Sequence, residues 1–263
     1  MSKYSIFIPA YNSTEFIENF CKNIKKQIIK PDQVIIVDDT KNLPDFEKKI
    51  RENLNFLDLD NKIIIIKNKK NIRPSRSWNN CLNLFSNNLI FRMDVDDIWR
   101  EDHTKKMLDA YNNNKNVALF LQKFQCNFFR KIFFNYKFLF TNQGLHSSCL
   151  FNFNVIKVKY PIIDLPLDDL YLYIKLKYIL KKKIQFVNFS TCLINIDHSN
   201  RWSSNSDKSK TLKFEKKLYF LALKKFLHLK KLNFFNFTKI IKKLNIFESF
   251  FVFFKILFYY KNK

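Results

Sequence analysis

Four short apolar runs, Tyr4–Pro9, Gln33–Val37, Lys62–Ile66 and Leu89–Met93, recur along the chain with helical patterns between them. This alternation is what most restricts the fold. Runs that are apolar on both alternate positions belong to strands covered on both faces, and strand–helix–strand order joins them in parallel through right-handed crossovers. Between the first two runs, Phe16, Ile17, Phe20, Cys21, Ile24 and Ile28 recur at helical period, and Asn12 with Glu15 stands at capping-box spacing before them. Pro44, Asp45 and Glu47 open a second helix that carries Phe46, Ile50 and Leu54 inward. Trp78, Leu82 and Phe85 mark a third helical face.

Ligands of such sheets bind beyond the carboxyl ends of the strands. Three strand ends on that edge carry polar sequence: Pro9–Asn12, Asp38/Asp39, and Asp94-Val95-Asp96-Asp97. Aspartate at one strand end is an ordinary turn residue. Five on one edge are costly together unless a cation or hydrogen-bond donors offset them. Carboxylates are hard ligands for Mg²⁺ or Mn²⁺, ions that bridge protein oxygens to phosphate. The arrangement predicts a nucleoside diphosphate held through a divalent metal, with one carboxylate of Asp-x-Asp on the metal and the other on a ribose hydroxyl or water. The chain has a single glycine, which closes the glycine-rich phosphate loops and the dinucleotide fingerprint.

Composition narrows the remaining classes. At 263 residues, 47% hydrophobic and 17% aromatic, the chain has enough apolar material for a packed core and is not a disordered protein. Its formal charge of +24 favours anionic partners, although lysine is spread along the whole chain. Nucleic acid is not the expected partner, because most phenylalanines stand at core-like periodicities rather than interleaved with basic residues for base stacking. Cys21, Cys81, Cys126, Cys149 and Cys192 are far apart with no metal-ligand spacing, and read as reduced, buried thiols. No apolar stretch of membrane-spanning length and no signal-peptide pattern is evident, so a cytoplasmic location is expected.

Two blocks then carry a resemblance. Residues 6–39 (IFIPAYNSTEFIENFCKNIKKQIIKPDQVIIVDD) and 79–99 (NNCLNLFSNNLIFRMDVDDIW) resemble the family 2 glycosyltransferases of the GT-A fold. Those show an apolar strand, Pro-x-Tyr-Asn, a helix, a second strand ending in Asp-Asp, and an Asn fifteen positions before Asp-x-Asp-Asp, the spacing of Asn79 to Asp94. Residues 167–176 (LDDLYLYIKL) resemble the family's later Glu-Asp block at the start of an amphipathic helix. The resemblance implies a mixed, mainly parallel sheet flanked by helices and inverting transfer of a sugar from a nucleotide donor. On that basis Pro9, Ala10, Tyr11 and Asn12 border the nucleotide, and Asp38 or Asp39 binds its base or ribose. Asn79, Asp94 and Val95 join the donor site; Asp96 is the metal ligand, for Mn²⁺ or Mg²⁺. Asp169 is the general base, with Asp168 in place of the commoner Glu. His198 resembles a late histidine that approaches the metal or diphosphate. Three positions depart from the pattern: Trp78 stands where an Arg is frequent, leaving Arg73 or Arg76 to reach the nucleotide; Cys81 replaces a glycine; and other glycine turns are filled by Asn and Lys.

The expected organisation is a catalytic domain over 1–205 and a basic, aromatic helical extension over 206–263. From Arg201 onward sixteen Lys/Arg face only Asp207, Glu215 and Glu248. Phe237, Ile240, Ile241, Leu244 and Phe247 follow helical spacing with Lys239, Lys242 and Lys243 on the other side. Such helices pack on the catalytic domain or lie on an anionic inner membrane face, where lysines meet lipid phosphates. The expected enzyme is a glycosyltransferase, hexosyl or N-acetylhexosaminyl, using a UDP-sugar and a glycan or lipid-linked glycan acceptor in bacterial surface polysaccharide or lipooligosaccharide synthesis. The nearest alternative is a polyprenyl-phosphate sugar synthase.

Overall fold

The computed structural model of the chain describes residues 2–40, 45–55, 62–123, 144–162, 168–193 and 210. The elements run β1 (Ser5–Ala10), a 3-10 turn (Thr14–Phe16), α1 (Ile17–Lys25), β2 (Gln33–Asp38), α2 (Phe46–Leu54), β3 (Ile63–Lys67), α3 (Pro74–Cys81), β4 (Leu89–Arg92) and β5 (Ile98–Trp99). They continue with α4 (His103–Asn113), β6 (Leu119–Lys123), β7 (Gly144–Asn152), α5 (Asp168–Ile174) with a π-helical turn (Lys175–Ile179), β8 (Ile184–Val187) and β9 (Cys192–Leu193). The chain divides into two compact units. The first comprises Met1–Phe124, Gly144–Asp164 and Lys182–Asn205; the second comprises Gln125–Gln143, Leu165–Lys181 and Ser206–Lys263.

The first unit is built on a seven-stranded sheet in the order β3-β2-β1-β4-β7-β6-β8. Its first four strands are parallel, with Ala10 opposite Asp38 and Phe7 opposite Arg92. Strand β7 then runs antiparallel to both β4 and β6, so the sheet is mixed but mainly parallel. The apolar runs end within a residue of the expected strand limits because both of their faces are covered. Ile6, Ile8, Val34 and Ile36 face the main core with Phe20 and Ile24 of α1, Phe46, Ile50 and Leu54 of α2, and Met107 and Leu108 of α4. Phe7 points the other way, where its ring meets Trp78 of α3 at 5.2 Å. Trp78 in turn contacts Phe85, Phe151, Phe153 and Tyr160, and its indole N–H donates to the Val158 carbonyl at 3.1 Å.

Two local expectations are corrected. Asn12 and Glu15 do not form a capping box: no side chain caps the 3-10 turn or α1. Asn12 instead adopts a left-handed backbone (φ 49°), and its N–H donates to Thr40 Oγ1 at 2.7 Å. Its left-handed backbone departs from the extended conformation that a capping residue typically adopts. Ile28 lies beyond the end of α1 and is 57% exposed, so it leaves the helical face assigned to it. Four of the five cysteines, Cys21, Cys81, Cys149 and Cys192, are buried and unbridged, and burial pushes the Cys21 and Cys81 thiols up to about 12. Cys126 lies outside the described residues.

A buried polar knot fastens the small β5–β9 ribbon to the main sheet. His103 Nδ1 lies 2.7 Å from Gln122 Nε2 and 2.8 Å from Thr191 Oγ1. Gln122 also donates to Thr191 Oγ1 at 2.9 Å and accepts the Thr191 N–H at 2.8 Å. Gln122 sits beside an irregularity in the β6–β7 pairing, which is what turns its side chain to this position. The His103 ring packs on Trp99, centroids 4.1 Å apart, and is wholly buried. Burial pushes its pKa down to about 3, against a smaller opposing pull from Asp102.

An imidazole held neutral in the fold but free to charge in the unfolded chain weakens the fold as pH drops. The folded value lies below the unfolded one, so stability is full above about 6.5 and declines below it. Denaturant unfolding of the intact chain between pH 7 and 5 is expected to lose stability at up to about 1.4 kcal/mol per pH unit more steeply than His103→Phe. Parallel slopes for the two chains would show that His103 accepts a proton in the fold.

Candidate functional site

The carboxyl ends of β1, β2 and β4 bring the acidic residues to one edge of the first unit. Pro9 and Ala10 close β1, and Ala10 is paired with Asp38 across the ladder. The next residues leave the sheet: Tyr11 is 50% exposed, and Asn12 turns the chain in its left-handed conformation. On β2, Asp38 and Asp39 are both buried, and the Asp39 N–H donates to the Ala10 carbonyl at 2.8 Å. The Met93 N–H donates to the Phe7 carbonyl at 3.0 Å, which seats the start of the Asp94–Asp97 loop beside β1.

The two neighbouring aspartates of β2 have different surroundings. Asp39 Oδ1 accepts from Asn68 Nδ2 at 2.6 Å, and Ser77 Oγ donates to Asp39 Oδ2 at 3.1 Å. Its carboxylate thus ties the end of β2 to the residue after β3 and to α3. Burial raises its pKa, opposed by the Asn68 and Ser77 hydrogen bonds. Asp38 Oδ1 accepts the Thr40 N–H at 2.8 Å, closing a local turn. Thr40 is itself bonded by Asn12, so the loops after β1 and β2 are fixed to one another.

The loop after β4 is held from two sides. Asp94 is half-buried, and its Oδ1 lies 3.4 Å from Arg92 Nε. Val95 is buried at the edge of the main core, Asp96 is half-exposed and Asp97 is buried. Asn23 of α1 donates to the Asp97 carbonyl at 2.8 Å and accepts the Trp99 N–H at 3.2 Å. Gln27, one turn on, donates to the Arg100 carbonyl at 2.9 Å. Asn23 of α1 and Gln27 just beyond its end therefore fix the exit of the acidic loop with two buried amides.

Asn79, expected at the donor, spends its side-chain amide on the backbone of Tyr160. It donates to the Tyr160 carbonyl at 3.0 Å and accepts the Tyr160 N–H at 2.8 Å. Arg76 is half-buried on α3. Asp168 and Asp169 open α5 in the second unit, Asp168 buried and Asp169 half-buried. In the π-helical turn that follows, Lys177 Nζ donates to the Tyr173 hydroxyl at 2.7 Å. His198 and residues 206–263 other than Lys210 lie outside the described residues.

Among the described residues no three His, Cys, Asp or Glu side chains gather as a metal cage. Asp94 and Asp96 offer hard oxygen donors on one loop. A pair of carboxylates fits an ion that takes its other ligands from phosphate and water, as Mg²⁺ commonly does. Sequence reasoning missed Arg92, Tyr160, Ser77 and Asn68. Only Arg92 left a signal, as a charged residue inside the otherwise apolar run Leu89–Met93.

Comparison with known proteins follows this geometry. Residues 5–155 match the family model described as "Glycosyl transferase family 2". A curated relative, the "uncharacterized glycosyltransferase MJ1057" of Methanocaldococcus jannaschii, is 29% identical over 116 residues, 44% of this chain and 39% of its own length. Among solved structures, S. aureus TarS 1-349 in complex with UDP-GlcNAc has a TM-score of 0.62 at 15% identity, over 86% of this chain and 66% of that one. The mannosyltransferase PcManGT from Pyrobaculum calidifontis, in complex with GDP-Man and Mn²⁺, has a TM-score of 0.61 at 11% identity, over 97% and 86%. The fold is the GT-A fold that the sequence blocks implied.

The Asp39 contacts carry a stability prediction. Asp39→Ala leaves the half-buried Asn68 amide without its acceptor and removes one of the two acceptors of the Ser77 hydroxyl, and is expected to cost about 1–3 kcal/mol in denaturant unfolding. Asp38→Ala removes one turn hydrogen bond and is expected to cost about 1 kcal/mol or less. Equal losses would mean that Asp39 does not brace this edge.

Proposed function

The chain belongs to glycosyl transferase family 2, and from that premise we propose that it moves a sugar from a nucleotide-diphosphate donor onto a glycan or lipid-linked glycan acceptor. The observation that carries this reading is the shared edge of β1, β2 and β4, where Asp38 and Asp39 end β2 and Asp94, Asp96 and Asp97 follow β4, with the end of β1 between them. The solved neighbours that hold UDP-GlcNAc and GDP-Man support a nucleotide-sugar donor. UDP is the nucleotide we favour, and the sugar is a hexose or N-acetylhexosamine.

In this reading Pro9, Ala10, Tyr11 and Asn12 form one wall of the donor cradle. The exposed Tyr11 ring offers a face for the base, and Asp38 or Asp39 accepts from base or ribose. Asp94 and Val95 line the ribose side, Arg76 approaches from α3, and Asn79 braces that side. Asp96, with His198, would hold Mn²⁺ or Mg²⁺. That ion, when bound, offsets the negative charge that grows on the departing diphosphate. Asp169 takes the proton of the acceptor hydroxyl, with Asp168 beside it in the first turn of α5. The acceptor oxygen then attacks the anomeric carbon on the face opposite the diphosphate. The new C–O bond forms as the sugar–phosphate bond breaks, and the configuration inverts.

Three results test this. Incubated with Mn²⁺ and a panel of nucleotide sugars, the intact chain is expected to release nucleotide slowly from one donor and to stop when EDTA is added; release from none would overturn the reading. Asp169→Ala is expected to lower transfer by about 10²–10⁴-fold while nucleotide binding survives. Preserved turnover would remove Asp169 from the mechanism.

The basic extension 206–263 supports a peripheral position on an anionic membrane face, suited to a lipid-linked acceptor and to surface-glycan assembly. No helix among the described residues is long and apolar enough to cross a membrane. The intact chain is expected to sediment with anionic vesicles at low salt and to be released at high salt. A chain that stays in the supernatant at low salt would refute the membrane contact.

A further inference from the structure

Strand β4 carries a charge where a core strand ordinarily has none. Arg92 is 7% exposed, between Phe91 and Met93, which are both fully buried. A guanidinium in that position is retained only with partners that match its charge and its donors. Two lie at measured positions. Its Nε forms an ion pair with Asp94 Oδ1 at 3.4 Å without hydrogen-bond geometry, and its Nη1 donates to the Tyr160 hydroxyl at 3.1 Å. The guanidinium also stands over the Tyr160 ring, 5.6 Å from the centroid.

Tyr160 is fixed independently of the arginine. Asn79 grips its backbone at both N–H and carbonyl, and its ring packs on Trp78 at 5.5 Å and on Phe151 at 6.1 Å. The phenol oxygen is therefore a stationary acceptor. It holds one end of the guanidinium and so keeps its charge beside Asp94. Residues 92 and 94 are two apart on an extended chain and project to the same side, which makes the pair available without a turn.

We infer that Arg92, braced by Tyr160 and through it by Asn79, is the positioning residue of the acidic loop, fixing the Asp94 carboxylate for the nucleotide. Asn79 then serves the donor site through Tyr160, not by touching the donor. The arrangement also eases the crowding of carboxylates on this edge, since a buried cation faces the first aspartate of the loop. This rests on the donor-site reading above.

The test is a double-mutant cycle on the intact chain, with UDP and GDP titrated in the presence of Mn²⁺ and melting midpoints measured alongside. Wild type is expected to bind at least one of the two; if it binds neither, the donor-site reading falls and this inference with it. Given binding, Arg92→Lys is expected to weaken affinity about tenfold and Tyr160→Phe about threefold. Tyr160→Phe keeps the packed ring, so its melting midpoint is expected to stay close to wild type. In an Asp94→Asn background each substitution is expected to add less than about twofold, because the carboxylate being positioned is gone. Losses that multiply in full with Asp94→Asn overturn the inference, as does Tyr160→Phe binding like wild type, whatever Arg92→Lys does. A Tyr160→Phe midpoint that falls in step with affinity assigns the hydroxyl to packing and overturns it equally.

Discussion

Crowded carboxylates at the ends of parallel strands are the constraint around which this edge is organised. Each aspartate repels its neighbours, and the sheet geometry that gathers them also withdraws them from water. The chain answers with donors of three kinds. Asp39 is satisfied by neutral donors, an amide and a hydroxyl, from two other elements. Asp38 is satisfied by a backbone N–H of its own turn. Asp94 faces a guanidinium. Neutral donors leave the edge negative, whereas the buried Arg92 guanidinium reduces its charge locally. The edge thus keeps negative charge while avoiding its full electrostatic penalty.

The sheet was readable because its signal is local. A covered parallel strand writes itself as an apolar run, and β1 and β2 do so fully, β4 up to Arg92, and the half-buried edge strand β3 through its four isoleucines. Helix α2 was readable for the same reason, through Phe46, Ile50 and Leu54. The antiparallel insertion of β7 between β4 and β6 left no such mark, since pairing direction depends on residues about sixty positions apart. The capping expectation failed at Asn12 because spacing reports which residues are available, and not which backbone conformation they adopt.

The acidic cluster was likewise visible as residue types, but its wiring was not. Asn79 and Tyr160 are 81 positions apart, Trp78 and Val158 80, and His103 and Thr191 88. Contacts of that range carry no periodicity. Trp78 illustrates the consequence. Read along the sequence it was a departure, an apolar ring where the family resemblance leads one to expect an Arg. In the fold it is the centre of an aromatic cluster that packs Tyr160 behind the acidic loop. A cation then reaches the same neighbourhood from β4 as Arg92.

Glycine scarcity bears on the same edge. The lone glycine, Gly144, does not sit at a left-handed position, and the described residues with positive φ are Asn12, Asp45, Arg73 and Lys181. Asn tolerates that region at little cost, but Arg73 at φ 75°, ψ 155° occupies backbone space natural only to glycine, a strain of about 1–3 kcal/mol. It is offset by the contacts that begin α3. The Arg73 N–H donates to Asn71 Oδ1 at 2.9 Å, and its carbonyl accepts the Ser77 N–H at 3.1 Å and the Ser77 hydroxyl at 3.0 Å. That serine also holds Asp39. The strained turn and the buried carboxylate therefore share one residue, so the bend that launches α3 is fixed by the same hydroxyl that ties β2 to it. Both non-glycine turns that flank the acidic edge, Asn12 and Arg73, are thereby anchored to the two loops that follow β2 and β3.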